Sequence, residues 1–151
     1  MTHPGCGCPG SMARTIERQE PGGDTAVKAR SELRQWPVQL HLVPPTAPYF
    51  QNAEILISAD CVAYAMGSMH QDLLKDKALA IACPKLDDTT AYVEKLATIF
   101  SANGIKSITV AIMEVPCCRG LDIMVREALA RSGKAIPLES VVIGIDGERR
   151  N

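Results

Sequence analysis

The stretch Ile108-Thr109-Val110-Ala111-Ile112-Met113-Glu114-Val115-Pro116-Cys117-Cys118 decides the reading of this chain. It opens on a nearly continuous, β-branched apolar run, too short for a buried helix and halted by a proline. Such a run reads as a strand covered on both faces. Two earlier segments repeat the arrangement. Residues 55–58 lead through Ala59-Asp60 into Cys61, and residues 78–82 lead into Cys83-Pro84. Residues 141–145 form a further apolar run, and residues 38–43, stopped by Pro44-Pro45, are read as the first strand of the set.

Between the runs lie helical patterns. Asp87-Asp88-Thr89-Thr90 supplies a capping start favoured by the helix dipole, Tyr92, Leu96, Ile99 and Phe100 recur at helical spacing, and Asn103-Gly104 marks the stop. Beyond Gly120, the side chains Leu121, Met124, Val125, Ala128 and Leu129 form a second stripe, ended by Ser132-Gly133. A shorter helical stretch covers residues 62–74, broken near Gly67-Ser68. Alternating strands and helices imply right-handed crossovers and a parallel sheet. The predicted fold is α/β, a three-layer sandwich whose parallel sheet has about five strands, Rossmann-like or flavodoxin-like. Residues 1–35 differ in composition, with glycine and proline around Cys6 and Cys8, and read as an N-terminal cysteine-bearing arm. Residues 36–151 read as the α/β domain that binds a cofactor.

Length and composition narrow the function. A chain of 151 residues is the size of one ordinary domain. Charged residues make up 22% and the formal net charge is −1, so no basic excess predicts a hold on nucleic acid. No apolar stretch reaches membrane-spanning length, and the first residues lack a charged-then-apolar signal pattern, so the expected location is the cytoplasm. Disulfides are rare in a reducing cytosol, and six cysteines there point to metal binding or catalysis. Buried cysteines also serve as small hydrophobic fillers, but these sit beside proline and glycine at strand ends, and the adjacent pair Cys117-Cys118 is an unusual filler.

The sequence carries no G-x-G-x-x-G after a strand, no G-x-x-x-x-G-K-[ST] and no G-x-S-x-G elbow, and His3, His41 and His70 show no metalloprotease spacing. What remains at the carboxyl edge of the sheet, where open α/β folds bind ligands, is sulfur. Iron–sulfur clusters are held by cysteine thiolates, four for a cubane, and ligands from separate loops need no short spacing. Each cysteine loop also leads toward a helix N-terminus, whose partial positive charge is expected to lower a thiol's pKa, most clearly at Cys61 and Cys118. Cys8 is expected to reach the site from the arm, with Gly7, Pro9 and Gly10 permitting close approach.

Five segments in order carry a resemblance: Cys8-Pro9-Gly10-Ser11, Arg34-Gln35-Trp36-Pro37-Val38-Gln39-Leu40, Ala59-Asp60-Cys61-Val62-Ala63, Cys83-Pro84-Lys85-Leu86-Asp87 and Met113-Glu114-Val115-Pro116-Cys117-Cys118. From about Cys8 onward the chain resembles the C-terminal domain of iron–sulfur-binding, ferredoxin-type proteins of anaerobic bacteria and archaea, in many of which a two-cluster ferredoxin module comes first. That module's repeated C-x-x-C-x-x-C motifs are absent here. The family has Gly-Gly after the cysteine pair and this chain has Arg119-Gly120; Met12 stands where the family has arginine; Cys6 is an extra cysteine.

With the resemblance, the expected site is a 4Fe–4S cluster on Cys8, Cys61, Cys83 and one of Cys117 or Cys118. The other member of the pair serves as a spare ligand, a redox-active thiol or a ligand of a larger cluster, and Cys6 ranks below these five. The expected role is electron transfer with a ferredoxin-type or other redox protein partner, without nucleic acid or membrane, and with oligomerisation open. An enzyme activating a small substrate at an open iron is the second reading. A zinc-binding structural or interaction domain is the third, because zinc sites favour paired close spacings and the two close pairs here, Cys6/Cys8 and Cys117/Cys118, are tighter than the common C-x-x-C knuckle. His70 is a candidate to donate to a cluster or move a proton, though a helix-surface residue is the favoured reading. Lys85 and Asp87 either tune the site electrostatically or are equally well a solvated loop residue and a helix cap. Glu114, just ahead of Cys117, belongs to the site or caps and pairs locally.

Overall fold

The apolar runs become strands where both faces are covered. The computed structural model describes residues 13–18 and 28–151. In chain order the elements are a 3-10 turn (Pro48–Phe50), β1 (Glu54–Ala59), α1 (Val62–Ala65), a π turn (His70–Leu74), β2 (Ala78–Ala82), α2 (Tyr92–Ala102), β3 (Ser107–Met113), a second 3-10 turn (Pro116–Cys118), α3 (Arg119–Ser132) and β4 (Leu138–Ile143). The sheet has the order β2-β1-β3-β4, with every strand parallel to its neighbours. The α/β reading and the parallel sheet are therefore observed, with four strands rather than five.

Sheet order follows from the crossovers. The β1 to β2 connection steps one way along the sheet, while β2 to β3 passes back over β1 and β3 to β4 continues in that direction. Right-handed crossovers stepping in opposite directions lie on opposite faces. Accordingly α2 and α3 pack side by side on one face. The core is the sheet between these layers: Ile55, Leu56, Ile57, Ala80, Val110 and Ala111 are wholly buried, as are Leu96, Ile99, Leu121 and Val125 from α2 and α3. Each fully buried aliphatic side chain of this size contributes about 1.5–3 kcal/mol relative to exposure.

The fifth strand expected over residues 38–43 is corrected to a single parallel bridge between Gln39 and Ile81. Leu40 N–H donates to the Ile81 carbonyl and Ile81 N–H donates to the Val38 carbonyl, both at 2.8 Å. The chain then turns, with Leu42 and Val43 N–H both closing on the Gln39 carbonyl. Pro44 and Pro45 have no amide hydrogen to extend a ladder, and the turn instead drops Leu40 and Val43 into the core. Farther along the same edge, the Gln35 side chain takes over: its Nε2 donates to the Leu79 carbonyl and its Oε1 accepts from Leu79 N–H, both at 2.8 Å.

The other edge is covered by the C-terminus. β4 begins earlier than the run at residues 141–145 suggested, because Glu139 and Ser140 belong to it while lying partly open to solvent. The chain turns after Ile143 and returns antiparallel, pairing Arg149 with Ile143 and sending the Arg150 N–H to the Val142 carbonyl at 2.8 Å. Both sheet edges thus have partners, which blunts edge-to-edge association.

The helices form largely where the periodicity placed them. α2 ends at Asn103, whose buried carboxamide donates to the carbonyls of Pro45 and Ile99 and pins the segment before β1 to the helix end. Its start differs from expectation: Ala91, not an aspartate, is the N-cap, and Asp88 instead folds the preceding turn by accepting from Thr90 N–H and Oγ1. No described helix is long and apolar enough to cross a membrane.

Candidate thiolate site at the carboxyl edge of the sheet

The sheet order puts a topological switch point between β1 and β3, the two adjacent strands whose onward connections diverge. In open α/β sheets the crevice beyond such a pair is where ligands bind. Cys61 follows β1 and Cys117 and Cys118 follow β3, so these three stand at that crevice, and Cys83 follows β2 beside it.

Local structure fixes each loop. Cys61 is the N-cap of α1 and Cys118 is the N-cap of α3. Cys83 is held by a closed turn in which Asp87 N–H donates to the Cys83 carbonyl at 2.9 Å, and Cys83 N–H donates to the Asp87 carboxylate at 3.1 Å. The Cys83 loop also touches the start of α3: a Cβ added at Gly120 would stand 3.3 Å from Pro84 Cβ, closer than most real contacts. Glycine at 120 lets the Cys83 and Cys118 loops approach.

The four described cysteines are free thiols, Cys61 exposed, Cys83 and Cys117 half-buried and Cys118 buried. They lie within electrostatic reach of one another. Partial burial pushes the Cys61 thiol up, and Cys83, Asp60 and Cys117 push it further. Burial raises Cys118 to about 11 against a backbone hydrogen bond at Met113, with Cys117 and Cys61 adding to the rise. The expectation of lowered thiol pKa values at Cys61 and Cys118 is thus corrected. Desolvation and crowding of like groups outweigh the helix N-termini, and α1 is only four residues long.

Two carboxylates adjoin the thiols. Asp60 precedes Cys61, and its Oδ1 is buried without a hydrogen-bond partner among the described residues. Its carboxyl is held above the usual range by burial first and by Asp87 second. Asp87 accepts from the Tyr92 hydroxyl at 2.6 Å, and burial together with that bond holds the phenol strongly up. Neither Asp60 nor Tyr92 was singled out from sequence. Asp60 is flagged by its place between a strand end and a cysteine, whereas Tyr92 looked like one more core-facing helix residue.

Other residues have ordinary partners. His70 Nδ1 accepts from Glu32 N–H at 3.0 Å, tying the preceding segment to the π turn. Glu114 accepts from Ile145 N–H at 3.1 Å and pairs with Arg150 at 3.0 Å, clipping the loop after β4 to the end of β3. Lys85 is exposed. Cys6 and Cys8 lie outside the described residues.

Among the described residues no three Cys, His, Asp or Glu side chains stand close enough together to hold one metal ion. Tetrahedral sulfur ligands about 2.3 Å from a single zinc lie within about 4 Å of each other. At the same edge, residues following β1 and β4 enclose a cavity of about 670 Å³, lined by Arg18, Tyr64, Ser68, Asp72, Glu148 and Arg149 among others.

Comparison with known proteins agrees with this architecture. The family model described as a Rossmann-like domain matches residues 47–150. A protein of Archaeoglobus fulgidus described as an uncharacterized protein is 34% identical over 116 residues, covering 77% of this chain and 81% of that protein. No solved structure matches. With the parallel sheet, its switch point and this match over most of its length, the chain belongs to the Rossmann-like domain family.

Proposed function

We propose that this chain is an iron–sulfur redox protein, holding a 4Fe–4S cluster on Cys8, Cys61, Cys83 and one of Cys117 or Cys118, and passing electrons to and from a protein partner. The observation that carries the reading is that four free thiols from three separate loops follow adjacent strands at one edge of the sheet, close enough that Cys83 and Cys117 push the Cys61 thiol up and Cys117 and Cys61 push the Cys118 thiol up. Crowded, half-desolvated thiols resist ionising together, and a bound cation reverses that balance by deprotonating its ligands outright. The resemblance to ferredoxin-type iron–sulfur proteins supports the same choice of cofactor.

In this reading Cys61, Cys83 and Cys117 or Cys118 supply thiolates from fixed loops. The Asp87 carboxylate and the Gly120–Pro84 contact orient the Cys83 loop against the start of α3. Bound there, the cluster supplies a one-electron couple. The Asp60 carboxyl, whose Oδ1 is buried without a partner among the described residues, precedes Cys61 in the chain and influences the potential through its charge state.

A second reading, activation of a small substrate at an open iron, is favoured by the loosely spaced ligands and by the spare thiol of the Cys117–Cys118 pair. Anaerobic Cys→Ser substitution tests the ligand set. Cys61→Ser and Cys83→Ser are expected to abolish the visible cluster absorption, as is Cys8→Ser, while Cys117→Ser and Cys118→Ser differ from each other. Cluster absorption retained in all of Cys8→Ser, Cys61→Ser and Cys83→Ser contradicts the assignment. A shift in the paramagnetic resonance spectrum on adding small ligands would favour the enzyme over the carrier.

A further inference from the structure

The large hydrophobic side chains left open to solvent include one beyond each cysteine loop. Tyr64 lies a turn beyond Cys61 and is 94% exposed, Leu86 lies just beyond Cys83-Pro84 and is 83% exposed, and Ile123 lies in the first turns of α3 and is 63% exposed. Leu42, 60% exposed, lines the cleft beside Asp87 and Tyr92 and extends the same rim. Single exposed apolar residues need no explanation, but a group of them around a candidate site marks an interaction surface.

Two cations stand in the rim. Lys85 and Arg119 are exposed, and neither joins an ion pair among the described residues. Arg119 and Ile123 are four apart on α3 and so share a face. Lys85 and Leu86 follow Pro84, which packs against Gly120, so the two pairs flank one contact. Four of the anions near Lys85 and Arg119 are engaged elsewhere, while the Asp60 Oδ1 is buried and Glu148, on the cleft that Tyr64 lines, joins no ion pair among the described residues. Asp87 turns inward to Cys83 and Tyr92, Asp88 binds Thr90, Asp122 binds Arg126 and Ser140, and Glu114 binds Arg150. Around Pro84 and Gly120 the rim therefore presents apolar side chains with two cations that have no ion-pair partner among the described residues.

We infer that this rim is the docking surface for a small acidic electron-carrier protein, which sets carboxylates on Lys85 and Arg119 and an apolar contact on Tyr64, Leu86 and Ile123. The inference rests on the reading of the thiols as cluster ligands. Charge complementarity selects this occupant over a second copy of the chain, because a two-fold contact through the rim brings Lys85 and Arg119 toward their own counterparts. Redox encounters use small interfaces steered by charge, which a few apolar side chains and two cations suffice to form. One electron leaves the reduced carrier, which is thereby oxidised, and enters the thiolate-held centre; no bond forms and no proton moves.

The test is calorimetric titration of the anaerobically prepared chain with an acidic bacterial two-cluster ferredoxin, and with a basic cytochrome c as the opposite-charge probe. Iron and acid-labile sulfide are assayed on the same samples. Expected are binding of the ferredoxin that weakens with salt, an affinity lowered about tenfold or more by Lys85→Glu with Arg119→Glu, and a smaller, salt-independent loss in Leu86→Ser with Ile123→Ser. The charge-reversed chain is expected to gain affinity for cytochrome c. Lys85→Glu alone, on a loop residue with no partner, guards against misfolding in the double variant and is expected to show part of the loss. A cluster-loaded chain whose ferredoxin affinity is unmoved by charge reversal overturns the docking surface alone. A chain without iron and sulfide overturns both readings, and is recognised by the metal analysis rather than by the titration. A dimer in sedimentation that the Leu86→Ser, Ile123→Ser variant dissolves overturns the inference by assigning the rim to a second copy.

Discussion

Asp87 closes on Cys83 twice, through its own N–H to the Cys83 carbonyl at 2.9 Å and through its carboxylate to the Cys83 N–H at 3.1 Å. The same carboxylate oxygen accepts from the Tyr92 hydroxyl at 2.6 Å, so one side chain ties the thiol loop to the first residue of α2. Asp87→Ala leaves a half-buried N–H and a buried phenol without their acceptor. It is expected to lower stability by about 1–3 kcal/mol in chemical denaturation. Asp87→Asn, which keeps an acceptor oxygen, is expected to cost less, and an equal loss in the two variants would contradict this account of the turn.

Gln35 is expected to behave as a piece of the sheet. Removing its carboxamide in Gln35→Ala leaves both backbone groups of Leu79 without their partners, at a cost of about 1–3 kcal/mol. Native-state hydrogen exchange reports it locally: the Leu79 amide exchanges faster in the variant, while amides of β3 shift only with global stability. Unchanged exchange at Leu79 would show that water replaces the glutamine without loss.

The clip between Glu114, Asp146 and Arg150 predicts a pH dependence. Backbone hydrogen bonds and the Arg150 guanidinium hold both carboxyls below their ordinary values of 4.5 and 3.8. A depressed folded-state pKa adds stability that is fully present above the unfolded value and is lost as pH falls through the folded one. The stability difference between the native chain and Arg150→Ala should therefore be present at neutral pH and shrink as the medium becomes acidic enough to protonate both carboxyls. Added salt should shrink it too, since these groups are exposed. A difference independent of pH would assign Arg150 a packing role.

Two glycines near the carboxyl edge separate backbone need from chance. Gly147 has φ +92°, and a Cβ there would collide with the Ala65 carbonyl, whereas nothing lies within 4 Å of a Cβ at Gly67. Gly147→Ala is expected to cost about 2 kcal/mol or more, and Gly67→Ala to be near neutral. Thermal unfolding of the two variants checks the contrast.

The sequence made the strands legible where burial is complete. β1, β2 and β3 are continuous apolar runs because helices or loops cover both faces, and their ends are marked by Asp60-Cys61, Cys83-Pro84 and Pro116. The edges were harder to read. Residues 38–43 look like a strand by composition, but the ladder there is finished by one backbone bridge and by the Gln35 carboxamide, and a side chain standing in for a peptide leaves no periodicity. β4 starts ahead of its apolar run because a strand at the edge carries Glu139 and Ser140 on accessible positions. At the candidate site, the positions of Cys61, Cys83, Cys117 and Cys118 were legible because each follows a strand. The direction of their pKa values was not, since crowding between distant loops has no local signal. Asp87 read as a cap because the turn it closes depends on Tyr92 and Cys83 together.

The central claim is that the thiols at the β1/β3 switch point hold an iron–sulfur cluster. Its most direct test is the iron, acid-labile sulfide and zinc content of the chain purified without oxygen. The account predicts a brown protein with about four irons and four sulfides per chain. A colourless protein carrying stoichiometric zinc and no sulfide would contradict it.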